Sequence, residues 1–171
     1  MSKVEKGFSL IELMIVVTVM ILLTGGSVAY VNRYRAWEKI RTTRDELETN
    51  LVLARNYAKT LQKPDGATGE VAYVAVTLTA GGVLTAGMNG VGTTYFSRDI
   101  SPSGVAVSTI GVNDLWFSAY DGKLVDLNGP RESSYTVGVM ISSSEGIGNT
   151  TGVTVNAFGL IEQRPGSPGV D

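Results

Sequence analysis

The sequence predicts an α+β protein: a long N-terminal helix, membrane-spanning and then amphipathic, packed on a C-terminal antiparallel β-rich head. Three observations carry this. Glycine is split, with Gly7, Gly25 and Gly26 in the first 63 residues and the other 18 of 21 after them. No glycine falls between Ser27 and Lys63, and glycine costs a helix interior about 1 kcal/mol against alanine. Charge splits at the same place: residues 1–63 carry ten Lys+Arg against six Asp+Glu, and residues 64–171 four against ten, so the net −2 joins +4 to −6. The third observation is an apolar run near the N-terminus with a single charge. A chain of 171 residues suits one domain of ordinary size. Absence of cysteine excludes disulfide scaffolds and thiol nucleophiles, and absence of histidine excludes imidazole acid–base chemistry.

Residues 1–7 form a short polar leader with Lys3, Glu5 and Lys6. The run at 8–31, FSLIELMIVVTVMILLTGGSVAYV, has one charge, Glu12. As a helix its 24 residues rise about 36 Å, against a bilayer core of about 30 Å. A single-pass transmembrane helix is expected, weakest at Gly25-Gly26. A carboxylate within a span costs about 2.5–3.5 kcal/mol, so Glu12 either reaches the interface from the helix end or pairs with a positive group on another subunit. A second interpretation is a secretory signal peptide, with Ser27-Val28-Ala29 as a small-residue cleavage site. The weakly basic leader and Glu12 both count against it.

Lys6-Gly7-Phe8-Ser9-Leu10-Ile11-Glu12-Leu13-Met14 resembles the class III signal sequence of type IV pilins and type II secretion pseudopilins. The resemblance implies that a prepilin peptidase cuts after Gly7 and that Phe8 becomes the N-methylated first residue. It implies that Glu12 neutralises the Phe8 amine of a neighbouring subunit during assembly. It also places the leader inside, whereas the positive-inside rule alone, with Arg33, Arg35 and Lys39 beyond the run, favours the reverse.

Residues 32–63 read as an amphipathic helix. Trp37, Ile40, Arg44, Leu47, Leu51, Ala54, Ala58 and Leu61 recur at steps of three and four and predict the face that packs on the head. Arg41–Asp45 and Arg44–Glu48 are spaced for i,i+4 pairs. Pro64-Asp65-Gly66 stops the helix and turns the chain.

The remainder, 64–171, predicts strands at 71–79, 94–96, 105–110, 115–120, 123–127, 135–141, 153–157 and 160–163. Asp121-Gly122 is the strongest hairpin signal and Phe158-Gly159 a second tight connection. Residues 80–92 and 142–152 read as exposed loops, and 164–171, with Pro165 and Pro168, as a loose tail. The stretch 47–61 with Ala54-Arg55 and Ala58, followed by such a β domain, is similar to H-type minor pseudopilins and related minor pilins. The C-terminal cysteine pair of many type IV pilins is missing.

Asp99, Asp114, Asp121 and Asp126 read as turn aspartates rather than as acid–base pairs. No EF-hand spacing, phosphate loop or serine triad occurs, and Glu162 with Asp171 does not make a calcium loop. No catalytic, cofactor or metal site is expected. The expected function is that of a structural subunit, a minor pilin or pseudopilin. It sits in the cytoplasmic (inner) membrane with its head outside and assembles into a type IV pilus or type II secretion pseudopilus. Expected partners are other pilin or pseudopilin subunits, the prepilin peptidase and the membrane. One alternative is a tip-located minor pilin that binds a surface, DNA or a secreted protein; the other is a secreted β protein with an ordinary signal peptide.

Overall fold

Ser9 starts the first element. Its carbonyl accepts the N–H groups of Glu12 and Leu13 at 3.1 and 3.2 Å, which opens helix α1 (Leu10–Thr60). Ser9 at the cap with Glu12 three residues on is the capping-box pattern, and an acid in the first turn complements the helix dipole. The computed structural model describes residues 8–79, 81–89, 93–101, 104–110, 114–125, 137–143 and 150–167. The leader 1–7, with Gly7, lies outside them. Backbone contacts divide the chain after Arg35, and each part is described by itself.

In the second part, from Ala36 onward, α1 buries one stripe: Ile40, Thr43, Leu47, Asn50, Leu51, Ala54 and Ala58. This corrects the predicted face. Trp37 is 43% exposed, and Arg44 is half-buried at its edge. At about 100° per residue Trp37 and Arg44 fall to one side of the stripe centred on Leu47 and Ala54, while Thr43 and Asn50 fall on its other flank. Polar character concealed the second pair, and size the misplacement of the first. The i,i+4 ion pairs are also replaced. Arg44 binds its neighbour Asp45 at 2.8 Å, Arg41 lies 5.6 Å from the Trp37 ring centre, and Glu48 accepts a 2.6 Å hydrogen bond from Gln163.

The helix ends before Pro64. Leu61 adopts a left-handed conformation (φ 54°), its N–H donates to Ala58 O, and Gln62 N–H donates to Tyr57 O. This is a Schellman ending with leucine where glycine is usual. The expected turn follows, with Ala67 N–H donating to Pro64 O and Gly66 at φ 78°.

Two four-stranded antiparallel sheets follow. The first has the order β3-β2-β1-β5, built from β1 (Tyr73–Leu78), β2 (Val83–Met88), β3 (Thr93–Asp99) and β5 (Asp114–Ser118). The second is β4-β6-β7-β8, built from β4 (Val105–Ile110), β6 (Val137–Ser143), β7 (Thr150–Val155) and β8 (Ile161–Ser167). One core joins them to the helix: Leu47, Leu51 and Ala54 lie in a single cluster with Val74, Val76, Leu84 and Phe117 of the first sheet and Val107, Ile141, Val153 and Val155 of the second.

Four expectations for the head fail. Residues 80–92 contain β2, an interior strand paired on both sides, in which Leu84, Ala86 and Met88 alternate into the core. The glycines around Val83–Met88 hid this period-two pattern. Residues 142–152 are not one loop: Ser142 and Ser143 end β6 and Thr150–Gly152 begin β7, with 144–149 outside the described residues. The predicted loose tail is strand as far as Ser167, with Arg164 paired to Gly152 and Ser167 to Thr150; 168–171 lie outside the described residues. Of the predicted strand 123–127, Leu124 makes a single bridge to Phe117, and 126–127 lie outside the described residues.

Candidate assembly interface

The N-terminal part of α1 exposes apolar side chains on every side. Phe8 is 80% exposed, Leu10 78% and Leu23 68%, with Ile11, Leu13, Met14, Ile15, Met20, Ile21 and Leu22 also exposed between them. Covering the thirteen exposed large apolar residues from Phe8 to Leu23 would stabilise by on the order of 20 kcal/mol, at about 1.5 kcal/mol or more each. A helix apolar all round belongs in a bundle or a membrane. Its two hydroxyls are internally satisfied: Thr18 Oγ1 donates to Met14 O at 2.8 Å, and Thr24 Oγ1 to Met20 O at 2.7 Å. Such back-bonding removes the need for an outside partner.

Glu12 is the exception. It sits exposed in the first turn, four residues from the exposed Phe8, and its carboxylate has no hydrogen-bond or ion-pair partner among the described residues. A surface that buries this helix must therefore supply a cation, because an unpaired buried charge costs about 3–5 kcal/mol. Phe8 precedes the helix, and Gly7 lies outside the described residues. Among the described residues no helix is long and apolar enough to cross a membrane. The apolar helical stretch with described side chains, 10–24, rises only about 22 Å. A span requires the uncharged sequence 25–31 as well, through which the backbone of α1 continues.

The head has a polar lock that sequence reasoning missed. Arg55, on the helix, donates through Nε to Gly122 O and through Nη2 to Phe158 O, both at 3.2 Å. One guanidinium thus holds the two turns expected from Asp121-Gly122 and Phe158-Gly159. In the first turn Tyr120 and Gly122 take positive φ (71° and 66°), and Ser118 N–H donates to Lys123 O at 2.8 Å. Asp121 accepts the Lys123 N–H, and this hydrogen bond is the largest influence holding its carboxyl below the usual range. In the second, Asn156 Oδ1 accepts the N–H groups of Phe158 and Leu160, each at 3.0 Å. Around the lock Tyr120, Phe158 and Leu160 are exposed.

A second polar contact, partly buried, joins Arg98 Nη1 to Asn50 Oδ1 at 3.0 Å, while Asn50 Nδ2 donates to Glu46 O. Tyr57 and Tyr95 stack at 4.7 Å, and Tyr95 OH donates to Gln62 O at 2.6 Å. Asp99 caps a turn by accepting the Ser101 N–H, Asp114 is exposed at the start of β5, and Asp126 lies outside the described residues. Among the described residues no three acidic groups converge on a metal position.

The family model of the prokaryotic N-terminal methylation motif matches residues 2–28. No curated protein matches the chain in sequence. Two crystal forms of the type IV minor pilin FimU from Pseudomonas aeruginosa (strain PAO1) are similar in structure. The P65 form has a TM-score of 0.54 at 16% identity over 73% of this chain and 92% of the crystallised FimU chain. The P21 form has a TM-score of 0.56 at 14% identity over 80% and 92%. The chain thus joins a prokaryotic N-terminal methylation motif at residues 2–28 to a pilin-like α+β fold.

Proposed function

We propose that the chain is a minor pilin or pseudopilin, cut between Gly7 and Phe8, held in the cytoplasmic membrane by its N-terminal helix and drawn from there into a filament. The observation that carries this is the helix from Leu10 to Thr24: apolar side chains exposed on all faces, both threonine hydroxyls bonded internally, and its one carboxylate without a partner among the described residues. Such a helix is stable in lipid or among helices of its own kind. Glu12 then discriminates aligned from misaligned neighbours, since only a register that brings an amine to it compensates the charge. The prepilin peptidase and neighbouring subunits are the partners, the role is structural rather than enzymatic, and minor-pilin status extends to this chain the printed name of the FimU structures.

The test is the fate of Glu12→Ala. The variant is expected in the membrane fraction at the normal level and missing from sheared filaments. Normal incorporation would refute the assembly role of Glu12. A tip role predicts a few copies per filament, and a copy number like that of the main subunit would exclude it.

A further inference from the structure

We propose that Tyr30, Arg33, Tyr34 and Arg35 form a collar that binds anionic phospholipid headgroups where the helix leaves the bilayer. The proposal rests on the membrane anchoring argued above. Tyr30 is 72% and Tyr34 52% exposed, and both arginines are exposed as well. At about 100° per residue Tyr30, Arg33 and Tyr34 share roughly a quarter of the helix circumference, and Arg35 lies about 100° beyond Tyr34, so the four residues reach round the helix rather than sharing one face. Neither arginine has an acidic partner among the described residues. The collar follows directly on the uncharged sequence 13–31.

Each part of this arrangement suits the lipid–water boundary. Tyrosine puts an apolar ring among the acyl ends and its hydroxyl in the headgroup layer. Arginine pairs its planar fork with phosphate in two parallel hydrogen bonds. A basic side chain at an anionic membrane surface strengthens binding about fivefold, so two give about 25-fold. Attraction to outer-leaflet headgroups also accounts for basic residues on the side of the run where the positive-inside rule disfavours them. Duplex DNA offers the same phosphates, but gives the adjoining apolar helix nothing to bury against.

The test is flotation of the full mature chain with limiting liposomes, either neutral phosphatidylcholine or phosphatidylcholine with phosphatidylglycerol. The wild type is expected to float with both and to favour the anionic vesicles by about 25-fold at low salt. R33S/R35S should float with neutral vesicles like the wild type and lose that preference. Equal flotation of the wild type with both vesicles overturns the collar and leaves the anchor standing. Failure to float with either overturns the anchor. If R33S/R35S keeps the anionic preference but loses a gel shift with duplex DNA, the arginines serve nucleic acid and the proposal is overturned.

Discussion

The carbonyl oxygen of Gly122 occupies the space that a side chain on Gly159 would need. The two turns approach this closely because Arg55 holds a carbonyl of each from the helix. Gly159 also has φ 71°, so two independent requirements demand glycine there. Gly159→Ala is expected to destabilise the head by about 2–4 kcal/mol. Gly66→Ala is the control: φ is similar at 78°, but nothing lies within 4 Å of the added carbon, so about 1 kcal/mol is expected. Thermal unfolding of both variants in detergent measures the difference.

Removing the donor should act on the same unit. Arg55→Met keeps much of the stem and strips the hydrogen bonds from Gly122 O and Phe158 O. A loss of about 1–3 kcal/mol is expected, with faster amide exchange in both turns rather than in β1. Unchanged exchange at Gly122 and Gly159 would show that the turns hold without the guanidinium.

Core and surface positions adjacent on α1 should separate sharply. Leu51 is fully buried in the shared cluster and Val52 is 41% exposed. Leu51→Ala is expected to cost about 2–5 kcal/mol and Val52→Ala about 0.5 kcal/mol or less, read from denaturant midpoints.

Tyr95 predicts an alkaline dependence. Burial, and next the neighbouring Tyr57, raise its phenol above the ordinary value of 10.0. The folded state therefore favours the neutral ring, whose hydroxyl donates to Gln62 O. Its contribution is complete below pH 10 and declines as pH rises from there through the higher folded value. The ring is only partly covered, so the effect is small. The stability gap between wild type and Tyr95→Phe should be constant from pH 7 to 9 and shrink above about pH 10. A gap independent of pH would contradict the shift.

The parts legible in the sequence were those set by local rules. The glycine-free stretch marks the helix body, and Asp121-Gly122 and Phe158-Gly159 the turns; all depend on residues close in sequence. Strand β2 was hidden because Gly81, Gly82 and Gly87 mimic loop composition around an alternating Leu84, Ala86 and Met88. Thr43 and Asn50 were missed because burial there is decided by the sheets packed over them, with Arg98 supplying the partner of Asn50. The Arg55 lock spans 67 residues to Gly122 and 103 to Phe158, and no local signal reports a contact at that separation.

The interface was legible in a different way. A helix whose apolar side chains are exposed leaves its sequence as the main record of what it could meet. Phe8, Glu12 and the apolar run mark that surface in the sequence, while the structure adds that Thr18 and Thr24 bond internally and that the Glu12 carboxylate has no partner among the described residues.

The most direct measurement is the N-terminal mass spectrum of the chain recovered from sheared filaments. The account predicts a chain present in the filament and beginning at N-methylated Phe8. A chain absent from the filament, still carrying its first seven residues, or beginning at Tyr30 would contradict it.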